Sequence, residues 1–223
     1  MRGALACVLA ATAVLVAGCA VSTPRETFYT LDAAIVAPAG ASASGAASGA
    51  GAAGTATSAG ASTLAVFVEP VRVPELVDRP QMIVSTGDAQ VVPLEQQRWA
   101  EPLRAQIARV VALDLARVLP SARVSANESV LDGIDPAKGY RVSLDVQRFE
   151  TRPGDAAAIE MAWTVRRANV VADIDVVASG RERVREPATE PGYDGVVRAH
   201  NRALASVGRT IAAALRAAAG TGN

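Results

Sequence analysis

Few residues in this chain could do acid–base, nucleophilic or metal chemistry, and their placement favours none of these. His200 is the only histidine. It falls between Val197 and Leu204 on an apolar stripe at helical spacing, the place of a packed, hydrogen-bonded core residue rather than a catalytic base. A histidine-rich metal site is therefore excluded, and only two cysteines, Cys7 and Cys19, could help. Asp173 and Asp175 share one strand face and could work as a carboxylate pair, but the alternation around them reads as a solvated face. No Gly-x-Ser-x-Gly elbow, Walker loop or strand-linked Gly-x-Gly-x-x-Gly occurs. Trp99 and Trp163 read as core or interface residues rather than a stacking platform. The expectation is a protein that is not an enzyme, with no catalytic, metal-ligating or cofactor-binding residue.

Charge adds a second exclusion. The chain has 22 basic and 22 acidic side chains, so the basic patch or stripe that nucleic acid requires is missing. Arginine occurs 21 times against one lysine, Lys138, alongside 48 alanines, which suggests a GC-rich genome rather than a functional arginine cluster. The 50% apolar fraction is inflated by alanine, which buries little surface.

The N-terminus carries the strongest chemical signal. Arg2 precedes an apolar run from Ala4 to Val16, too short for a span of roughly 20 residues and shaped like a secretory signal peptide. Its end, Val16-Ala17-Gly18-Cys19, resembles the lipobox of bacterial lipoproteins. That resemblance implies that residues 1–18 are removed and that Cys19 carries a diacylglyceryl group and an N-acyl chain. Cys7 leaves with the signal peptide, so neither a disulfide nor a thiol nucleophile remains. Ala20 in place of aspartate favours, by the same resemblance, export to the outer membrane. Several acyl chains, at about 0.8 kcal/mol per buried CH₂, would anchor the protein stably.

Behind the anchor, residues 19–27 read as a lipidated tether, which holds the domain (residues 28–218) up to about 30 Å from the bilayer. Phe28-Tyr29-Thr30-Leu31 is a first β-prone run. Residues 37–62 hold twelve Ala, six Gly and five Ser, with no large side chain to repay ordering, and are expected to be a flexible loop. Short strands are expected at 64–68, 82–85, 91–94 and 122–125. Alternating runs at 140–146, 159–166 and 173–185 follow, with a turn at Pro153-Gly154-Asp155. One helix should start near Arg98 to Glu101, with Pro102 in its first turn, and carry Trp99, Leu103, Ile107, Val110, Val111, Leu115 and Val118 on one stripe. A second should carry Tyr193, Val197, His200, Leu204, Val207, Ile211 and Leu215. The expected class is α+β, a mostly antiparallel or mixed sheet packed against two main helices.

Four strings resemble one family when taken together. They are Phe28-Tyr29-Thr30-Leu31, then Val66-Phe67-Val68-Glu69-Pro70-Val71-Arg72-Val73-Pro74, then Leu76-Val77-Asp78-Arg79-Pro80-Gln81-Met82, and Arg98-Trp99-Ala100-Glu101-Pro102-Leu103. They look like the PqiC-type family, the ABC-type transport auxiliary lipoproteins of Gram-negative bacteria. The 37–62 segment is longer than that family leads one to expect. The resemblance implies a non-catalytic, periplasm-facing lipoprotein held in the inner leaflet of the outer membrane. Its implied partners are an MCE-domain tunnel protein with its ABC and membrane subunits, and a homo-oligomeric ring that receives the tunnel's end. Asp78, Arg79 and Gln81 are the expected partner contacts. The competing reading is a structural or assembly lipoprotein of another envelope complex.

Overall fold

The structure, a computed structural model, describes residues 25–33, 64–87, 89–168 and 175–220. Cys19, the 37–62 segment and Asp173 lie outside them. The strands in chain order are β1 (Thr27–Tyr29), β2 (Ala65–Val68), β3 (Gln81–Ser85), β4 (Val91–Trp99), β5 (Arg123–Ser125), β6 (Gly139–Arg152), β7 (Ala156–Arg167) and β8 (Val176–Pro187). Helix α1 (Leu103–Val118) lies between β4 and β5, and α2 (Gly192–Gly220) follows β8. The α+β class is as expected, but the strands divide between two sheets. A three-stranded sheet has the order β1-β4-β3 and a five-stranded sheet the order β5-β2-β6-β7-β8. Both are mixed: β1 runs parallel to β4, and β2 parallel to β5 and β6, while the remaining pairs are antiparallel.

The β6–β7 hairpin is the spine of the larger sheet. Its turn at Pro153-Gly154-Asp155 works because Gly154 takes φ +76°, the left-handed region open to glycine. Val142, Leu144 and Val146 of β6 and Ile159, Met161, Trp163 and Val165 of β7 are buried on the helix-facing side. Trp163 lies across Gly180 of β8, where a Cβ would stand 2.6 Å from its ring. A glycine at that edge position leaves room for the indole to cover it.

The helices follow the expected stripes. α1 buries Leu103, Ile107, Val110, Val111 and Leu115, and α2 buries Val197, His200, Leu204, Val207, Ile211 and Leu215. They pack on each other, with α2 also covering β7 and β8 and α1 reaching β2 and β5. Each large aliphatic side chain sealed there contributes roughly 1.5–3 kcal/mol.

Three local expectations are corrected. α1 starts at Leu103, not at 98–101, because β4 continues through Trp99: the Trp99 N–H donates to Pro80 O at 2.7 Å and the Ala100 N–H to Tyr29 O at 2.8 Å. Pro102 then holds an extended ψ of 128° as the N-cap, so Glu101 and Trp99 stand before the helix. β4 is longer than 91–94; Pro93 is tolerated because β1 covers β4 only from Gln97 to Trp99, leaving the side that lacks an N–H open. Asp175 precedes β8 rather than sitting on it, and pairs with Arg167 at 3.7 Å.

Candidate functional site

The site is built where the smaller sheet meets α1. After β2 the chain reaches Pro74, whose carbonyl accepts from the N–H groups of Val77 (3.0 Å) and Asp78 (3.1 Å). This single turn buries Val77 and leaves Leu76 exposed. It also aims Asp78 at Arg104 in the first turn of α1, an ion pair of 3.0 Å. The Pro80–Trp99 backbone bond then clamps the 78–80 string against the 99–102 string.

Behind them, one side chain stitches three segments together. Gln106 of α1 is fully buried. Its amide oxygen accepts from the Leu31 N–H at 2.6 Å, and its amide nitrogen donates to the Glu101 carbonyl at 2.8 Å. Arg109, one turn on, donates to the Leu31 carbonyl at 3.3 Å and lies 3.6 Å from the Glu101 carboxylate. Trp99 closes the floor, packed edge-on against Phe149 with ring centroids 6.1 Å apart.

The result is an open groove of about 360 Å³ between Asp78-Arg79-Pro80 on one wall and Trp99 to Pro102 with Arg104 on the other. Its lining is apolar along Pro80, Trp99, Ala100 and Pro102, and charged at the rim. Arg79 is exposed there, with no charged or hydrogen-bonded partner among the described residues. Of the three expected contacts, Asp78 and Arg79 line the groove. Gln81 does not: it opens β3, paired opposite Arg98.

The model of a family described as the ABC-type transport auxiliary lipoprotein component matches residues 48–212, well over half the chain. The chain belongs to this family. No curated protein matches it. A crystal structure titled only as an uncharacterized protein superposes with a TM-score of 0.62 at 17% identity, covering 85% of this chain and 97% of its own. Protein XCC0632 from Xanthomonas campestris, of the DUF330 family, gives 0.54 at 21% identity, covering 67% and 82%. These likenesses carry the fold. Among the described residues of this auxiliary lipoprotein, no helix is long and apolar enough to cross a membrane.

Of the acid–base candidates of the sequence, Asp173 lies outside the described residues. Asp175 is engaged with Arg167, as above. His200 is fully buried on α2, stacked on Phe149 at 3.9 Å with its Nε2 3.0 Å from the Thr151 hydroxyl. Burial lowers its pKa from the ordinary 6.5 to about 3, so the ring is neutral and sealed from substrate.

Sequence reasoning missed Gln106 and Arg104. The signal for Gln106 was present: a polar amide between Leu103 and Ile107 interrupts an otherwise apolar stripe, and a buried amide must find partners. It also missed a polar group on the open face of the larger sheet. There Glu69 accepts from Arg166 at 2.8 Å and from the Ser143 hydroxyl.

Proposed function

We propose that this auxiliary lipoprotein is a non-catalytic docking subunit of an MCE-type intermembrane lipid transport system. Cys19 carries the diacylglyceryl and N-acyl lipid, residues 19–27 tether the domain to the inner leaflet of the outer membrane, and the domain faces the periplasm. The groove beside Asp78 and Arg79 receives the MCE-domain tunnel protein, and copies of the chain assemble as a homo-oligomeric ring. One observation carries the docking reading. The 78–80 string and residues 99–102 with Arg104, separated in sequence, form the two walls of one exposed groove, and Arg79 at its rim has no partner among the described residues.

Interface residues can carry binding energy without supporting the core, and Arg79 meets that condition. Exchanging Arg79 for Glu should reduce co-purification of the MCE-domain partner from detergent-solubilised membranes at least about tenfold. The melting temperature should stay within about 2 °C, as for a surface substitution. Full partner recovery with the Arg79→Glu chain would remove the groove from the interface. Cys19→Ser should abolish acylation and membrane retention with the domain still folded; labelled palmitate entering that variant would sink the anchor assignment.

A further inference from the structure

The larger sheet ends in a long strand with one side bare. β8 spans Val176–Pro187 and stands at the sheet's edge. Among the described residues, no backbone hydrogen bond reaches its outer side. The direction of its unused peptide groups follows from the ladders inside the sheet. The helix-facing residues of β6 turn their peptide groups toward β2 and the chain that follows it. Val142 O accepts from Glu69 at 2.9 Å, Leu144 O from Arg72 at 3.1 Å, and the Val146 N–H donates to Arg72 at 2.9 Å. Peptide groups alternate sides along a strand in step with side chains. The outward-facing residues of β6 therefore bond β7, and the helix-facing residues of β7 bond β8. What remains for the bare edge are the N–H and C=O groups of Ser179, Arg181, Arg183 and Arg185, whose register partners are Thr164, Ala162, Glu160 and Ala158.

The same residues raise an arginine row. Arg181, Arg183 and Arg185 have side chains 55%, 73% and 62% exposed. Among the described residues, two carboxylates serve them: Glu160, shared by Arg181 (3.8 Å) and Arg183 (3.0 Å), and Asp155 with Arg185 (2.6 Å). Positive charge is left over, and each fork keeps unused N–H donors.

We propose that the outer edge of β8 is a second docking surface, independent of the groove, which takes up one strand of a partner protein bearing acidic residues at alternate positions. Main-chain bonds to Arg181, Arg183 and Arg185 would give affinity. Carboxylates directly opposite the three guanidinium groups would set register and exclude other strands. A second copy of this chain does not fit the edge. Antiparallel registers near full overlap set arginine against arginine, and the sheet's other edge, β5, is only three residues long and carries Arg123.

The test is residue-resolved amide exchange by NMR on the full chain, with a short peptide alternating Glu and Val or its counterpart alternating Lys and Val. The Glu peptide should slow exchange at Arg181, Arg183 and Arg185 at least about tenfold, while the Lys peptide leaves them unchanged. Arg183→Pro removes one outward N–H and should abolish the response, since proline is tolerated at an edge position facing solvent. Should that chain not fold, Arg181→Gln with Arg185→Gln should weaken the response. Absence of slowing by saturating Glu peptide, equal slowing by both peptides, or a response that survives both variants would overturn the proposal. So would protection that rises with protein concentration without peptide, which would place a second copy on the edge.

Discussion

Gln106 and His200 are both fully buried polar side chains on the helices, and they do opposite work. Gln106 uses both ends of its amide, and each reaches a backbone group of an irregular segment, Leu31 and Glu101. His200 uses one nitrogen, on Thr151; among the described residues its Nδ1 has no partner. The first stitches together the segments that shape an exposed groove. The second fills the core behind a sheet and brings a sensitivity to acid. A buried polar group satisfied by backbone marks architecture near a surface that must hold its shape, whereas a half-satisfied one marks packing.

The largest effect should follow from removing the stitch. Gln106→Leu is close in volume, yet it strands the Leu31 N–H in a buried position and unpairs the Glu101 carbonyl. The cost should be about 3 kcal/mol by urea unfolding, with partner recovery falling as the groove loosens. A loss below about 1 kcal/mol would mean that water replaces both bonds easily.

Next comes the acid sensitivity of His200, whose pKa is about 3 in the fold against 6.5 ordinarily. The unfolded chain takes the proton first. The stability from the neutral ring is thus complete above about pH 6.5 and is lost as pH falls toward 3. At pH 5 the loss should be about 2 kcal/mol relative to pH 7. The His200→Gln chain, measured alongside, should lack that part of the slope. Parallel pH profiles for the two chains would contradict the assignment. The same variant should still complement a deletion strain's barrier defect if it folds; failure to complement while binding its partner would argue for catalysis.

The smallest effect concerns the Ala/Gly/Ser segment. Deleting residues 40–60 should change stability by less than about 1 kcal/mol, because loop closure costs rise slowly with length. A large drop in melting temperature would show that the segment packs against the domain.

Much of the scaffold was legible because large apolar residues repeat at one period. Leu103 to Leu115 and Val197 to Leu215 announced both helices, and Tyr140 to Val146 announced β6. Legibility failed where the period slipped or the residues carried no pattern. The alternation of β6 is legible only to Val146, because the register shifts between Val146 and Arg148. Past that bulge the phase changes, and Phe149 and Thr151 face inward again. The start of β7 was hidden in Ala156-Ala157-Ala158, and the end of β4 in the polar run Glu95-Gln96-Gln97. The groove was half legible. Its strings stood out by resemblance, but the ion pair and the amide stitch that bring them together are long-range contacts that no local pattern encodes.

The central claim is that the groove beside Arg79 meets the transport partner. A photo-crosslinking amino acid placed at Arg79, and separately at Leu113 on the exposed face of α1, tests it in living cells; Leu113 is 42% exposed and about 14 Å along the helix from the groove's Arg104. The account predicts a crosslink to the MCE-domain protein from position 79 and none from position 113. Crosslinks to that partner from position 113 alone, or from neither position in cells where the complex still co-purifies, would contradict it.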